Sequence, residues 1–176
     1  TNLEYFYIAN SELESLPDEF ANLVSLTDIE IYNCPKMAKF PKVIAQLPEL
    51  ISLNISNNAQ WEAEDFLAGM RALASGPSKE KIQILYARQN NLPLLPREFK
   101  NMKKIGLLDL AYNKIATIEE AYGNDIAFVQ LYLDFNLLES MPENFCGMND
   151  VETFSVKYNK LKKVPNIFSA KSLYTI

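Results

Sequence analysis

The stretch Ile105–Ile115 reads IGLLDLAYNKI, and 23 residues further on Phe128–Leu138 reads FVQLYLDFNLL. Both carry apolar residues at their first, fourth, sixth and eleventh positions and asparagine at the ninth. Outward from this pair, similar segments open at Leu3, Leu26, Leu50, Ile82, Val151 and Leu173, so successive units begin 23, 24, 32, 23, 23, 23 and 22 residues apart. A period of this length marks an array of small units, none of which can bury its own apolar face without stacking on a neighbour. The fourth and sixth positions, Leu108 and Leu110 or Leu131 and Leu133, alternate with outward-facing ones. That is the period of a short strand half-buried against a core, so each unit is expected to supply one strand.

The ninth position holds Ser11, Cys34, Asn58, Asn90, Asn113, Asn136 and Asn159, a file of small side chains just past each strand. Further along come Leu16-Pro17, Phe40-Pro41, Leu95-Pro96, Met141-Pro142 and Val164-Pro165, followed by the apolar residues Phe20, Ile44, Phe99, Phe145 and Phe168. A third apolar position, Leu23, Leu47, Met102 and Met148, completes the stripe. Proline presets φ for a tight or helical turn and needs no N–H bond there, while the apolar residues turn back to the core. The fifth unit has Glu119 in place of the proline and Asp125 in place of the last apolar residue, so its turn is expected to be looser.

The repeated LxxLxLxxNxL segment resembles that of leucine-rich repeat proteins over nearly the whole chain, and the 23-residue unit with its Leu-Pro-x-x-Phe turn is similar to their typical bacterial class. The resemblance implies an α/β leucine-rich repeat solenoid, a right-handed superhelix. A parallel β-sheet would line its concave face and short helical or 3-10 segments its convex face. It also implies an asparagine ladder, each side chain satisfying backbone groups where the coil leaves its strand. Ser11 and Cys34 are weaker members, which predicts a less regular N-terminal end. A bacterial cell-surface or secreted location is likewise implied by the resemblance alone.

Composition narrows the chemistry. The 176 residues carry 22 acids against 17 bases, and a net charge of −5 argues against general binding to nucleic acid or acidic membranes. There is no histidine, which removes the commonest general base and zinc ligand and every Ser/His or Cys/His nucleophile. Cys34 and Cys146, four strand spacings or roughly 20 Å apart, are too distant for a disulfide, whose Cα atoms lie within about 7 Å. Without an apolar run of about 18 residues, these residues are not expected to insert directly into a membrane. The expectation is a non-enzymatic chain with no cofactor, no metal and no nucleic-acid partner. The chain opens on Thr1 just before a repeat and ends at Ile176 inside an eighth strand. It is therefore read as one domain over 1–176, seven repeats and a truncated eighth, belonging to a larger chain.

The 32-residue third unit holds an insertion at about 60–80 with Phe66, Leu67, Met70 and Leu73 at helical spacing and Gly76-Pro77 as a stop. A convex-side helix covering the core with Trp61 is the plain reading, and a docking excursion the functional one.

Strand side chains that avoid the core must face the concave side. There the later units gather Tyr86, Tyr132, Tyr112, Phe135 and Tyr158 with Ile84 and Leu107, and Arg88, Asp109 and Asp134 lie among them. Aromatic and arginine anchors dominate interface energetics, so this surface is the candidate site for a protein or peptide ligand. The competing explanation is that aromatics simply suit strands and stack across them. The first three units offer Asp28, Glu30, Ser52, Asn54 and Ser56, a more polar surface. Paired carboxylates such as Asp109 with Asp134, lacking a pocket or activated nucleophile, read as a solvated acidic surface, and the sequon Asn54-Ile55-Ser56 lies within a strand. Two alternatives stand beside recognition: a structural spacer or assembly element of a surface protein, and the substrate-recruiting half of a multidomain effector enzyme similar to bacterial effector ubiquitin ligases.

Overall fold

The computed structural model describes residues 2–120, 122, 126, 128–143, 145 and 151–163. Among them nine strands form in chain order: β1 (Tyr5–Ala9), β2 (Asp28–Tyr32), β3 (Ser52–Asn54), β4 (Ile84–Tyr86), β5 (Leu94–Leu95), β6 (Leu107–Asp109), β7 (Thr117–Ile118), β8 (Gln130–Tyr132) and β9 (Thr153–Ser155). Seven make one parallel sheet in the order β1-β2-β3-β4-β6-β8-β9, one strand per unit. The register matches equivalent positions: Tyr7 faces Glu30, Glu30 faces Asn54, Asn54 faces Tyr86, Tyr86 faces Asp109, Asp109 faces Tyr132, and Tyr132 faces Ser155. Beneath the sheet the central strand residues Ile29, Leu53, Leu85, Leu108, Leu131 and Phe154 are all buried in one core. Burying each such side chain contributes about 1.5–3 kcal/mol.

The ladder is present and physically complete from the third unit on. Asn136 Oδ1 accepts the Ile115 N–H at 2.9 Å, and its Nδ2 donates to the Leu110 and Leu133 carbonyls at 3.0 Å each. Asn113 serves Leu92, Ala87 and Leu110 in the same way, and Asn58 serves Cys34, Ile31 and Ile55. Each amide thus ties its own coil to the preceding one. Cys34 makes only a long contact from Sγ to the Tyr32 carbonyl, 3.7 Å, and Ser11 only accepts from Leu13 N–H two residues on. The ladder is therefore interrupted in the first two units, yet β1 and β2 are the longest strands, paired over five residues. The expected irregularity is absent from these strands because their backbone hydrogen bonds do not depend on the amide file.

On the convex side, 3-10 helices Asp18–Asn22, Lys42–Gln46 and Arg97–Asn101 begin directly after Pro17, Pro41 and Pro96. Phe20, Ile44 and Phe99 turn inward and are buried. Of the fifth unit's turn, 119, 120, 122 and 126 are among the described residues. Glu119 accepts the Arg97 N–H at 2.9 Å and pairs with Arg71, while Tyr122 takes the place of the inward phenylalanine and donates its hydroxyl to the Pro96 carbonyl at 2.7 Å. A second small parallel ladder, Leu94 with Thr117 and Leu95 with Ile118, joins the fourth and fifth units. Charge-assisted bonds replace the preset proline dihedral there. Asp125, Cys146, Met148, Val164, Pro165, Phe168 and Leu173 lie outside the described residues.

The insertion forms α1 (Ala63–Leu73). Trp61, Phe66, Met70 and Leu73 are fully buried, and Phe40, Trp61 and Phe66 form a three-ring cluster with centroids 5.3–5.8 Å apart. The core-covering reading holds. Gly69 is required there, since a Cβ on it would lie 2.1 Å from the Phe40 ring.

Candidate functional site

Each coil leaves its strand through one residue in the left-handed region. These are Asn10, Asn33, Asn57, Gln89, Tyr112, Phe135 and Tyr158, with φ between 51° and 62°. The turn lets the N–H of this residue continue the sheet ladder, as when Tyr112 donates to Asp134 O at 2.9 Å and Phe135 to Lys157 O at 2.8 Å. The same turn presses the following asparagine into the core and places the left-handed side chain on the rim of the concave face. Asparagine tolerates this conformation; a bulky side chain there costs on the order of 1–2 kcal/mol.

The three rim aromatics form one continuous stack. Tyr112 and Phe135 have centroids 4.2 Å apart at 11°, and Phe135 and Tyr158 4.2 Å apart at 17°. The Arg88 guanidinium sits over the Tyr112 ring, 5.5 Å from its centroid, and caps the file. Although Phe135 is sandwiched between two rings it remains 38% exposed, so its edge faces solvent. Neighbouring rings occupy both faces of Phe135, which presents its edge, while Tyr158 at the end of the file is 72% exposed.

The remaining predicted residues divide into two groups. Asp109 is buried, its Oδ1 accepting the Ala111 N–H at 3.0 Å and its Oδ2 facing Arg88 Nη1 at 3.2 Å. Burial pushes its carboxyl above the ordinary 3.8, against the opposing pull of the Ala111 N–H and Arg88. Asp134 is held by Ser155 Oγ at 2.6 Å and Lys157 N–H at 2.7 Å. Both carboxylates are therefore engaged in shaping the strand exits, and Asp109 also orients Arg88. Tyr86, Leu107 and Tyr132 are half-buried along the sheet. Tyr86 and Arg88, with Tyr32, Asn54, Ser56 and Gln89, line a shallow depression of about 350 Å³. No ring contact joins Tyr86 or Tyr132 to the rim stack among the described residues.

Sequence reasoning passed over Lys114 and Lys160, and placed Lys157 in a concave-face column without giving it a role. Lys114, Lys157 and Lys160 are exposed, Lys114 lining a groove with Tyr112, and no ion pair engages the three among the described residues. Their signal was their spacing: each lies one or two positions from a rim aromatic. Asn54 is closed to other roles, since its Nδ2 donates to Glu30 at 3.0 Å and its Oδ1 accepts the Ser56 N–H.

No family model matches the chain. Among solved structures it superimposes on a leucine-rich repeat protein from Bacteroides eggerthii DSM 20697 with a TM-score of 0.82 and 35% identity, over 98% of this chain and 32% of that one. It is 25% identical to human lumican over 97% of this chain and 56% of that protein. A stretch covering 66% of the chain is 31% identical to adenylate cyclase of Schizosaccharomyces pombe, and spans 6% of that protein. The chain thus spans little more than half the length of lumican and far less of the other two proteins. With a repeated segment, a buried amide in each of the third to sixth coils and a sheet that overlays such a structure end to end, the chain belongs to the leucine-rich repeat proteins.

Proposed function

We propose that this chain is a non-enzymatic recognition module that holds a protein or peptide on the concave face of its fourth to seventh units. The observation that carries this reading is the exposed stack Tyr112–Phe135–Tyr158 capped by Arg88. Rigid aromatics and arginine, held by a packed scaffold, are the groups that supply most of the energy of protein interfaces. Tyr86, Leu107 and Tyr132 extend the same surface along the sheet, with Asp109 and Asp134 keeping the strand exits in shape. The repeats are proposed to act as a single domain within 1–176. A bacterial surface or secreted location is part of the proposal, and its bacterial half is what the likeness to the Bacteroides protein supports. No helix among the described residues is long and apolar enough to cross a membrane.

The test is selection of ligands from displayed libraries of peptides and folded domains, followed by titration of single variants. Tyr86→Ala, Tyr132→Ala and Phe135→Ala are each expected to weaken binding at least about tenfold while stability stays within about 1 kcal/mol. Ligands indifferent to all three variants would move recognition elsewhere. Self-association that rises with concentration, together with no selected ligand, would favour the spacer reading instead.

A further inference from the structure

Resting on that recognition reading, we propose that the rim formed by Arg88, the aromatic stack, Lys114, Lys157 and Lys160 anchors an extended peptide segment rich in aspartate and glutamate. Stability does not account for the stack. Three bulky residues occupy left-handed positions at about 1–2 kcal/mol each, and the two ring contacts return about 0.5–1.5 kcal/mol each. Asparagine in the same file is at ease in that conformation and forms its own link, Asn33 Nδ2 to Asn10 Oδ1 at 2.7 Å. What the aromatics add is a surface.

The electrostatics of that surface are defined by its geometry. An aromatic ring is electron-rich on its face and carries partial positive charge at its edge. Stacking at 4.2 Å hides the faces of Phe135 and leaves its edge outward, so the strip itself favours electron-rich groups. Lys114 borders the groove beside Tyr112, and the exposed Lys157 and Lys160 lie one and two residues from Tyr158 in the chain; none of the three has an ion pair among the described residues, in a chain whose net charge is −5. Beside Tyr112 and Lys114 opens a groove of about 550 Å³ that also borders Asn57 and Gln89. These two amides make no side-chain hydrogen bond among the described residues, and can serve the main chain of an extended ligand.

The other end of the concave face selects among anions. Asp28 and Glu30 lie on β2, about 10 Å from Arg88 and about 15–25 Å from the lysines of the rim at about 4.8 Å per strand. A long, uniformly anionic polymer crossing the sheet would meet those carboxylates. A peptide can confine its acids to the rim and turn neutral or basic beyond it.

A random-peptide display library selected on the whole chain tests this assignment. Selected peptides should be enriched in Asp and Glu, lose at least tenfold in affinity to Lys157→Glu/Lys160→Glu and to Phe135→Asn, and weaken as salt rises. The exposed lysine variants leave the core untouched, so lost binding there is not lost folding. Neutral or basic peptides, or acidic ones indifferent to charge reversal but abolished by Tyr86→Ala, would overturn the acidic anchor and leave concave-face recognition standing. No selected peptide at all would overturn the acidic anchor, and the folded-domain library would then decide whether concave-face recognition stands. Heparin, run as a competitor, would overturn the peptide assignment if it bound the rim more tightly than the selected peptides.

Discussion

The two ends of the rim solve one backbone problem with opposite chemistry. In the first three units the left-handed position is Asn10, Asn33 and Asn57, residues that accept the conformation at little cost. In the last three it is Tyr112, Phe135 and Tyr158, which accept it poorly and stack. A repeat fold repeats its backbone faithfully while leaving the side chain at a strained, exposed position free to vary. Where the local preference is broken without a stability gain, the side chain is the place to look for function.

The largest effect should come from the buried amide rather than the rim. Asn136→Ala strips four backbone partners at once and is expected to lower stability by about 3 kcal/mol in chemical denaturation. Ser11→Ala, at the equivalent position of the interrupted end, should stay within about 0.5 kcal/mol. Equal losses would show that the ladder does not divide the molecule as described. Next in size, Asn33→Phe puts an unstacked ring into the left-handed position and removes the bond to Asn10, for a cost of about 2 kcal/mol by the same measurement.

On the convex side the contrast is between proline-led turns and Glu119. The hydrogen bond from Arg71 holds the Glu119 carboxyl below its ordinary 4.5. Its contribution is therefore fully present above that pH and is lost as pH falls through the lower folded value. Glu119→Gln should cost about 1 kcal/mol at neutral pH, and the deficit should shrink as pH falls below 4.5 in a pH series of thermal unfolding. Asp109 runs the other way. With its folded value raised above 3.8, its contribution is present below that pH and is lost as pH rises through the folded value. The smallest change is expected for Phe135→Asn, where relief of the left-handed strain offsets two lost ring contacts and stability moves by less than about 1 kcal/mol. A large destabilisation would show the stack to be structural after all.

The sheet was legible because LxxLxLxxN carries both the strand period and the buried amide, and nothing competes with that signal from Leu26 to Asn159. The candidate surface was partly legible. The columns placed Tyr112, Phe135 and Tyr158 side by side, but the left-handed turn that hides their faces depends on backbone dihedrals no single column reveals. For the same reason the period could not show that Asp109 turns back to cap Ala111 N–H, or that Tyr122 carries out the inward role of the missing phenylalanine. Glu119 read as a defect because its partner Arg71 lies 48 residues away, inside the insertion.

That distant partner gives the insertion a mechanical meaning. In a one-dimensional stack each coil senses only its immediate neighbours, and damage spreads one step at a time. Arg71 extends from the third unit to Glu98 in the fourth and Glu119 in the fifth. It works as a splint across three coils, so that these units should loosen together rather than in turn.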